Sequence, residues 1–304
     1  MNLALLAGVV TSSIMSGTSL LYATLGEIVG ERAGIVNLGL EGIMLVGAAS
    51  GFAATALTGS PYLGLAAAAL SGAAANMIFA YVVVGRHANQ LAAGLSLMFF
   101  GIGLSALIGR PFVGTPIAGL PRLPVPGLAA GGIGARLLSY DVLVYLAVPA
   151  ALVTWWLLFR TRWGLGLRTV GESPAAAFAA GLQPQKLQYQ ALTFAGALGG
   201  LAGAHLSLAL TLTWAEGMTA GRGFIAIALV IFAKWNPLWA VAGALLFGGA
   251  EGLQLQLQAA GTDVSPFVMN MTPYLLTLLV LILWGWSRQS AAPAALGRNF
   301  VGVE

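Results

Sequence analysis

Residues 160–186 read RTRWGLGLRTVGESPAAAFAAGLQPQK, the long polar and basic interruption of an otherwise apolar chain. Its centre is punctuated as a miniature helix. Ser173 is a good N-cap, Pro174 suits the first helical position, Ala175 to Ala180 is a run of strong helix formers, and Gly181 can end it. Isolated helices shorter than roughly 12 residues are marginal in water, so a helix this short is expected to pack against something.

The sequence around it decides the fold class. Of 304 residues, 59% are hydrophobic and 7% are charged, against about 25% charged in a soluble domain. Apolar runs near or above the ~18 residues that cross a bilayer recur along the whole length. The expected fold is an all-α polytopic membrane protein of about 8–10 transmembrane helices. The first apolar run lacks a basic flank and a small-residue cleavage site leading into a soluble domain, and it is read as a span rather than a cleaved leader. The chain has no cysteine, which excludes disulfides and thiolate metal sites. Its net charge of +4 implies no nucleic-acid partner.

Spans are expected at 3–25, 38–57, 62–84, 91–109, 141–159, 190–212, 238–257 and about 271–287. Between the first two, GEIVGERAGIVNLG at 26–39 is too polar to face lipid, and a complete crossing by part of 26–37 would add a span. Residues 110–140 are rich in Pro and Gly and are read as an extended external loop. Residues 223–234 would make a helix of only about 18 Å against a hydrocarbon thickness of about 30 Å, so they are either extended by their flanks or form a half-helix buried in the bundle. Broken or re-entrant helices are therefore part of the expectation.

With residues 160–188 placed in the cytoplasm, Arg32, Arg86, Arg160, Arg162, Arg168, Lys186, Lys234, Arg288 and Arg298 fall inside. Arg110, Arg122, Arg136 and Arg222 fall outside. Nine against four is the bias of the positive-inside rule, and it puts the tail 288–304 in the cytoplasm. Laying Pro61 on Pro237 pairs Ala68 with Ala244 and Gly72 with Gly248, on segments that run in opposite directions. Such inverted repeats are common in transporters. Any two Ala/Gly/Leu helices align comparably, so the alignment alone leaves the repeat open.

Three stretches, LGEIVGERAGIVNLGLEGIMLVGA at 25–48, GLRTVGESPAAAFAAGL at 166–182 and GMTAGRGFIAIA at 217–228, carry a resemblance over nearly the whole chain. The chain resembles the integral membrane permease subunits of ABC importers, in the branch of ribose-type, branched-chain amino-acid and nucleoside permeases, nearest the purine-nucleoside branch. The resemblance implies a single transmembrane permease domain over 1–304 in a bacterial cytoplasmic (inner) membrane, with no enzymatic activity or cofactor of its own. It implies partners: ABC ATPase subunits, a second permease subunit in a heterodimer, and a substrate-binding lipoprotein or periplasmic protein. No G-x-x-x-x-G-K-[ST] occurs in the chain, so ATP hydrolysis is expected on a partner.

In ABC importers the loop at 160–188 carries a coupling helix, expected here over 172–181. The general pattern there is Glu-Ala-Ala, three residues, then Gly. Ala176, Ala177 and Gly181 fit it, whereas the Glu position holds Ala175 and the acid is displaced to Glu172. Ser173 and Pro174 start the helix. Ala176, Ala177 and Ala180 are expected to face the partner's groove with Phe178 as anchor, and Arg168, Glu172 and Lys186 to make rim contacts.

Ionisable groups at membrane depth usually face a cavity or a partner. Glu41 and Glu251 are flanked by apolar helix, and Asn37 and Arg222 lie near Gly-rich stretches. Glu251, Gln254 and Gln258 share one helical face, with Gln256 off it. These six residues, Asn37, Glu41, Arg222, Glu251, Gln254 and Gln258, are translocation-pathway candidates, since amides offer a nucleoside both donors and acceptors. The alternatives are that Glu41 pairs with Arg32 and Glu251 with Arg222 as internal ties, and that the glutamines are simply wet. Trp155, Trp156, Trp163, Trp235, Trp239, Trp284 and Trp286 are read as interfacial anchors. His87 and His205 have no metal-ligand partner at helical spacing. Three functions compete: a nucleoside importer permease, a permease for simple sugars such as ribose, and a secondary transporter in which Glu41 or Glu251 carries protons.

Overall fold

The computed structural model describes residues 3–124, 139–259 and 292–299, together with Met271, Leu275, Leu278, Leu279 and Ile282. The expected span at 271–287 falls almost wholly outside these residues, as do parts of the 110–140 loop and the 288–304 tail.

Helix α1 (Leu3–Arg32) is continuous over 30 residues, about 45 Å at 1.5 Å per residue. The polar stretch after position 25 is therefore no separate crossing, because residues 26–32 complete α1 and keep Glu27 and Glu31 buried. An unwound segment, 33–39, leads to α2 (Leu40–Thr58) and then α3 (Pro61–Ala80), which runs on through a π-helical turn at Tyr81–Gly85. Next come α4 (Gln90–Gly109), a two-stranded antiparallel ladder of β1 (Leu123–Pro124) and β2 (Ser139–Tyr140), and α5 (Val142–Arg160). The polar 160–188 segment holds α6 (Arg162–Glu172), α7 (Pro174–Ala179) and the start of α8 (Pro184–His205), which ends in a second π-helical turn at Leu206–Leu210. Last are α9 (Arg222–Phe232) and α10 (Pro237–Ala259). Six described helices, α2, α3, α4, α5, α8 and α10 with the turns that extend them, are long and apolar enough to cross a membrane.

Local chemistry starts these helices. Asn89 Oδ1 accepts the Ala92 N–H, Asp141 Oδ1 accepts those of Leu143 and Val144, and Thr161 Oγ1 accepts that of Gly164. Each satisfies donors the helix cannot. Helix α6, where the sequence predicts a loop, contains Gly164, Gly166 and Gly171. Those glycines form its buried face, where a β-carbon at Gly164 would strike the Leu157 and Leu158 carbonyls and one at Gly171 the Arg32 carbonyl. The glycine cost in helix propensity is accepted here for close backbone approach.

Helices α2 and α8 form the centre. They run parallel, Leu40 and Ile43 beside Gly199, Met44 beside Gly203, and Ser207 Oγ donating to the Ala48 carbonyl at 3.0 Å. Helix α3 runs antiparallel to α8, with Ala68 and Gly72 against Gly196 and Gly200. Helix α10 runs antiparallel to α1, with Ala244 and Gly248 against Ser13 and Gly17. The positions paired by the Pro61–Pro237 alignment are thus the close-approach positions of two equivalent helix pairs. They support the inverted repeat, one half reading α1-α2-α3 and the other α8-α9-α10. The basic residues Arg32, Arg168, Lys234 and Arg298 collect at one end of the bundle.

Because small residues set these crossings, Gly203→Val should overpack the centre, where its side chain would collide with the Met44 carbonyl, at a cost of about 1–3 kcal/mol or more. Gly103→Val, which meets nothing within 4 Å, should leave thermal unfolding in detergent unchanged. Equal midpoints for the two variants would contradict the packing described.

Candidate functional site

Helix α9 has 11 residues, about 16 Å, half the depth of a bilayer. It is the half-helix alternative for the 223–234 segment, and its N-terminus lies inside the bundle against the start of α2. Four free N–H groups and a partial positive charge at such an end need a partner away from water. Glu41 supplies it. Its Oε1 accepts the Thr219 hydroxyl at 2.6 Å and the Gly221 N–H at 2.7 Å, and its Oε2 accepts the Gly223 N–H at 2.6 Å. The wrap requires positive φ at Ala220 (48°) and Gly221 (84°), a concave arrangement of N–H groups suited to an anion. Gly223 is needed because a β-carbon there would lie 2.6 Å from the Glu41 Cα. Glu41 stands in the first turn of α2, so one carboxylate serves the positive ends of two helices that meet head to head.

Glu41 therefore does not pair with Arg32. The Arg32 side chain donates instead to the carbonyls of Trp235 and Lys234 (3.2 and 3.5 Å) and packs on the Phe159 ring. Trp235, expected as an interfacial anchor, is buried, and its indole N–H donates to Glu31 Oε2 at 2.5 Å. Lys234 and Trp235 both carry positive φ, so α1 pins a strained corner at the basic end of α9.

Asn37 is also consumed internally. Its amide donates to Asn76 Oδ1 (2.8 Å), its Oδ1 accepts the Gly39 N–H (2.8 Å), and its backbone N–H reaches Glu27 (3.0 Å). Arg222 and Glu251 form the expected ion pair, with side chains 17% and 23% exposed. This removes Arg222 from the external tally, since it lies at the head of the half-helix. Gln254 is half-buried and Gln258 exposed farther along α10, while Gln256 lies against Gly8 of α1. His205 is not isolated either: its Nε2 lies 3.4 Å from Asp141 Oδ2, both buried. Sequence reasoning missed Thr219, Gly223, Asn76 and Asp141 as partners. Their signals were only a Gly-rich GMTAGRG and single polar residues in apolar runs.

At the basic end, α7 is built as the sequence indicates. Ser173 Oγ accepts the Ala176 N–H at 3.2 Å, and Gly181 (φ 82°) turns the chain so that Leu182 N–H reaches the Ala177 carbonyl at 3.0 Å. Pro174 occupies its first turn. The exposed residues are Ala175, Ala176 and Phe178 to Gly181, whereas Ala177 is wholly buried and cannot face a partner. Arg168 is not on the rim, since its guanidinium stacks 5.0 Å above the Phe159 ring. Glu172 is exposed and accepts the Ala294 N–H at 3.2 Å, and Lys186 lies exposed in the first turn of α8.

Glu41→Ala would leave two backbone N–H groups and a hydroxyl unpaired inside the bundle, so it should destabilise the protein by about 3 kcal/mol or more. Glu41→Gln, without the charge but with one acceptor, should fall between. Thermal unfolding in detergent checks this order. An unchanged midpoint for Glu41→Ala would show that the carboxylate does not hold the two helix ends.

The sequence model of the branched-chain amino acid transport system permease component matches residues 9–284. Curated relatives span the chain. TsgC13 of Haloferax volcanii, whose name provisionally assigns it to a glucose ABC transporter as permease, is 36% identical and covers 97% of both chains. The guanosine ABC transporter permease NupQ of Bacillus subtilis is 31% identical over 98% of this chain and 97% of its own. The nucleoside ABC transporter permease NupC of Lactococcus lactis is 32% identical over 96% of both. Together with the six apolar helices, they make this a multi-pass protein of the cytoplasmic membrane and a transport subunit rather than an enzyme. The chain belongs to the branched-chain amino acid transport system permease component family and is a permease subunit of an ABC transporter.

Proposed function

We propose that this subunit carries nucleosides inward across the cytoplasmic membrane, driven by ATP hydrolysis on separate ATPase subunits that dock on α7. The observation that carries the coupling is α7 itself: a capped, six-residue helix at the basic end, presenting small residues and a half-exposed Phe178 beyond the bundle. An exposed apolar ring on a surface of alanines suits insertion into a groove of a partner. The docking face is Ala175, Ala176, Phe178 and Ala179, with Ala177 as its buried support.

The nucleoside reading is supported by the names of NupQ and NupC. A sugar reading has support in TsgC13. For the pathway we favour the Arg222–Glu251 pair and the Gln254–Gln258 face, because partly exposed charges at membrane depth are expensive against lipid and are suited to a wet surface shared with a second permease subunit. Asn37 and Glu41, with their polar atoms bonded internally, are assigned to the framework. A substrate-binding lipoprotein or periplasmic protein completes the proposed assembly.

Phe178→Asp and Ala176→Trp should leave the chain folded in the membrane, since both positions are exposed. Each should reduce ATPase co-purification and uptake by roughly tenfold or more, as loss of an interface anchor does. Unchanged co-purification would refute docking on α7. Uptake of labelled guanosine should be competed by unlabelled nucleosides and not by glucose; the reverse pattern would establish the sugar reading.

A further inference from the structure

Residues 292–299 form no regular element, yet they are fastened to three separate parts of the basic end. The Ala295 N–H donates to the Gly171 carbonyl (2.9 Å) and that of Ala294 to Glu172, one turn before α7. The Gly297 N–H donates to the Gly34 carbonyl (3.1 Å) in the unwound segment between α1 and α2. The Asn299 amide donates to the carbonyls of His87 and Ala88, both at 2.7 Å, in the corner between α3 and α4. Pro293 and Ala295 are buried beneath these bonds. Gln90 joins the last two attachments: its Nε2 donates to Asn299 Oδ1 (3.2 Å) while its Oε1 accepts the Val36 N–H (2.9 Å).

We propose that 292–299 is a coupling strap, a positioning segment that passes displacement of the α6–α7 corner to the unwound segment before α2. Val36 immediately precedes Asn37, which is bound to Asn76, and four residues on is Glu41, which holds the head of α9. A displacement of Gly171 and Glu172 is thereby carried to the place where the two halves of the bundle meet. A loose tail would leave these backbone groups to water. The strap instead bonds three segments distant in sequence, and its Asn299 makes three of those bonds. The proposal rests on the reading that an ATPase docks on α7.

The test uses the assembled transporter in proteoliposomes, comparing wild type, Asn299→Asp, Asn299→Gln and Gln90→Ala. Tritiated guanosine is the probe, with labelled glucose as a second. Asp cannot donate to the two carbonyls, whereas Gln can. ATPase co-purification and ATP hydrolysis should stay at wild-type level in Asn299→Asp and Gln90→Ala while substrate taken up per ATP falls roughly fivefold or more, the lower end of ordinary inter-site coupling. Asn299→Gln should recover most of the ratio. A wild-type ratio in both damaged variants, or loss of the ATPase together with uptake, would overturn the strap. If Asn299→Asp does not accumulate in the membrane, Gln90→Ala decides alone. Failure of the wild-type chain to bind any ATPase would instead overturn the docking reading, and the two failures are thus distinguishable.

Discussion

A helix that begins inside a membrane protein must find acceptors for the N–H groups of its first turn, and Glu41 meets that requirement here. Its carboxylate accepts from Thr219, Gly221 and Gly223 and stands at the start of α2, so it neutralises two positive helix ends that would otherwise repel. Much of the architecture follows from that junction. Helix α9 can be short because its head is held, the loop before it takes positive φ to wrap the carboxylate, and Gly223 must lack a side chain for the two helices to touch. The junction also joins α2 to α9, the middle helices of the triplets α1-α2-α3 and α8-α9-α10.

From this junction, continuous packing and hydrogen bonding reach the surface where an ATPase is proposed to dock. The far end of α9 turns at Lys234 and Trp235, held by Arg32 and Glu31. Arg32 packs on Phe159, as does Arg168 of α6 from the same end of the bundle. Gly171 admits the Arg32 carbonyl against α6, and α7 begins three residues later. A continuous chain of packed rings, close backbone approaches and hydrogen bonds of this kind can carry a push.

Much of the fold was legible because long apolar runs admit one answer in a bilayer. The five spans expected at 38–57, 62–84, 91–109, 141–159 and 238–257 came within a few residues for that reason, and Ser173, Pro174 and Gly181 announced α7 by local chemistry alone. Helix α6 escaped because its glycines read as a breaker; its helicity comes from tertiary contact, which propensity does not record. The continuation of α1 through Glu27, Glu31 and Arg32 escaped likewise, because their partners Asn37 and Trp235 lie 10 and about 200 residues away. At the site, composition could show that Glu41 and Glu251 needed partners. It found Arg222 for Glu251 by charge, but two of the three partners of Glu41 are backbone N–H groups, which no side-chain inventory reveals. The burial of Ala177 was invisible for a related reason: alanine is equally at home on either face of a short helix.

The most direct test of the whole account is the energy source of uptake. In proteoliposomes holding this subunit with its partner ATPase, second permease and binding protein, guanosine should accumulate only with ATP on the cytoplasmic side and should be indifferent to collapse of the proton gradient. Accumulation driven by a proton gradient without ATP would contradict it, and would make Glu41 or Glu251 a proton carrier.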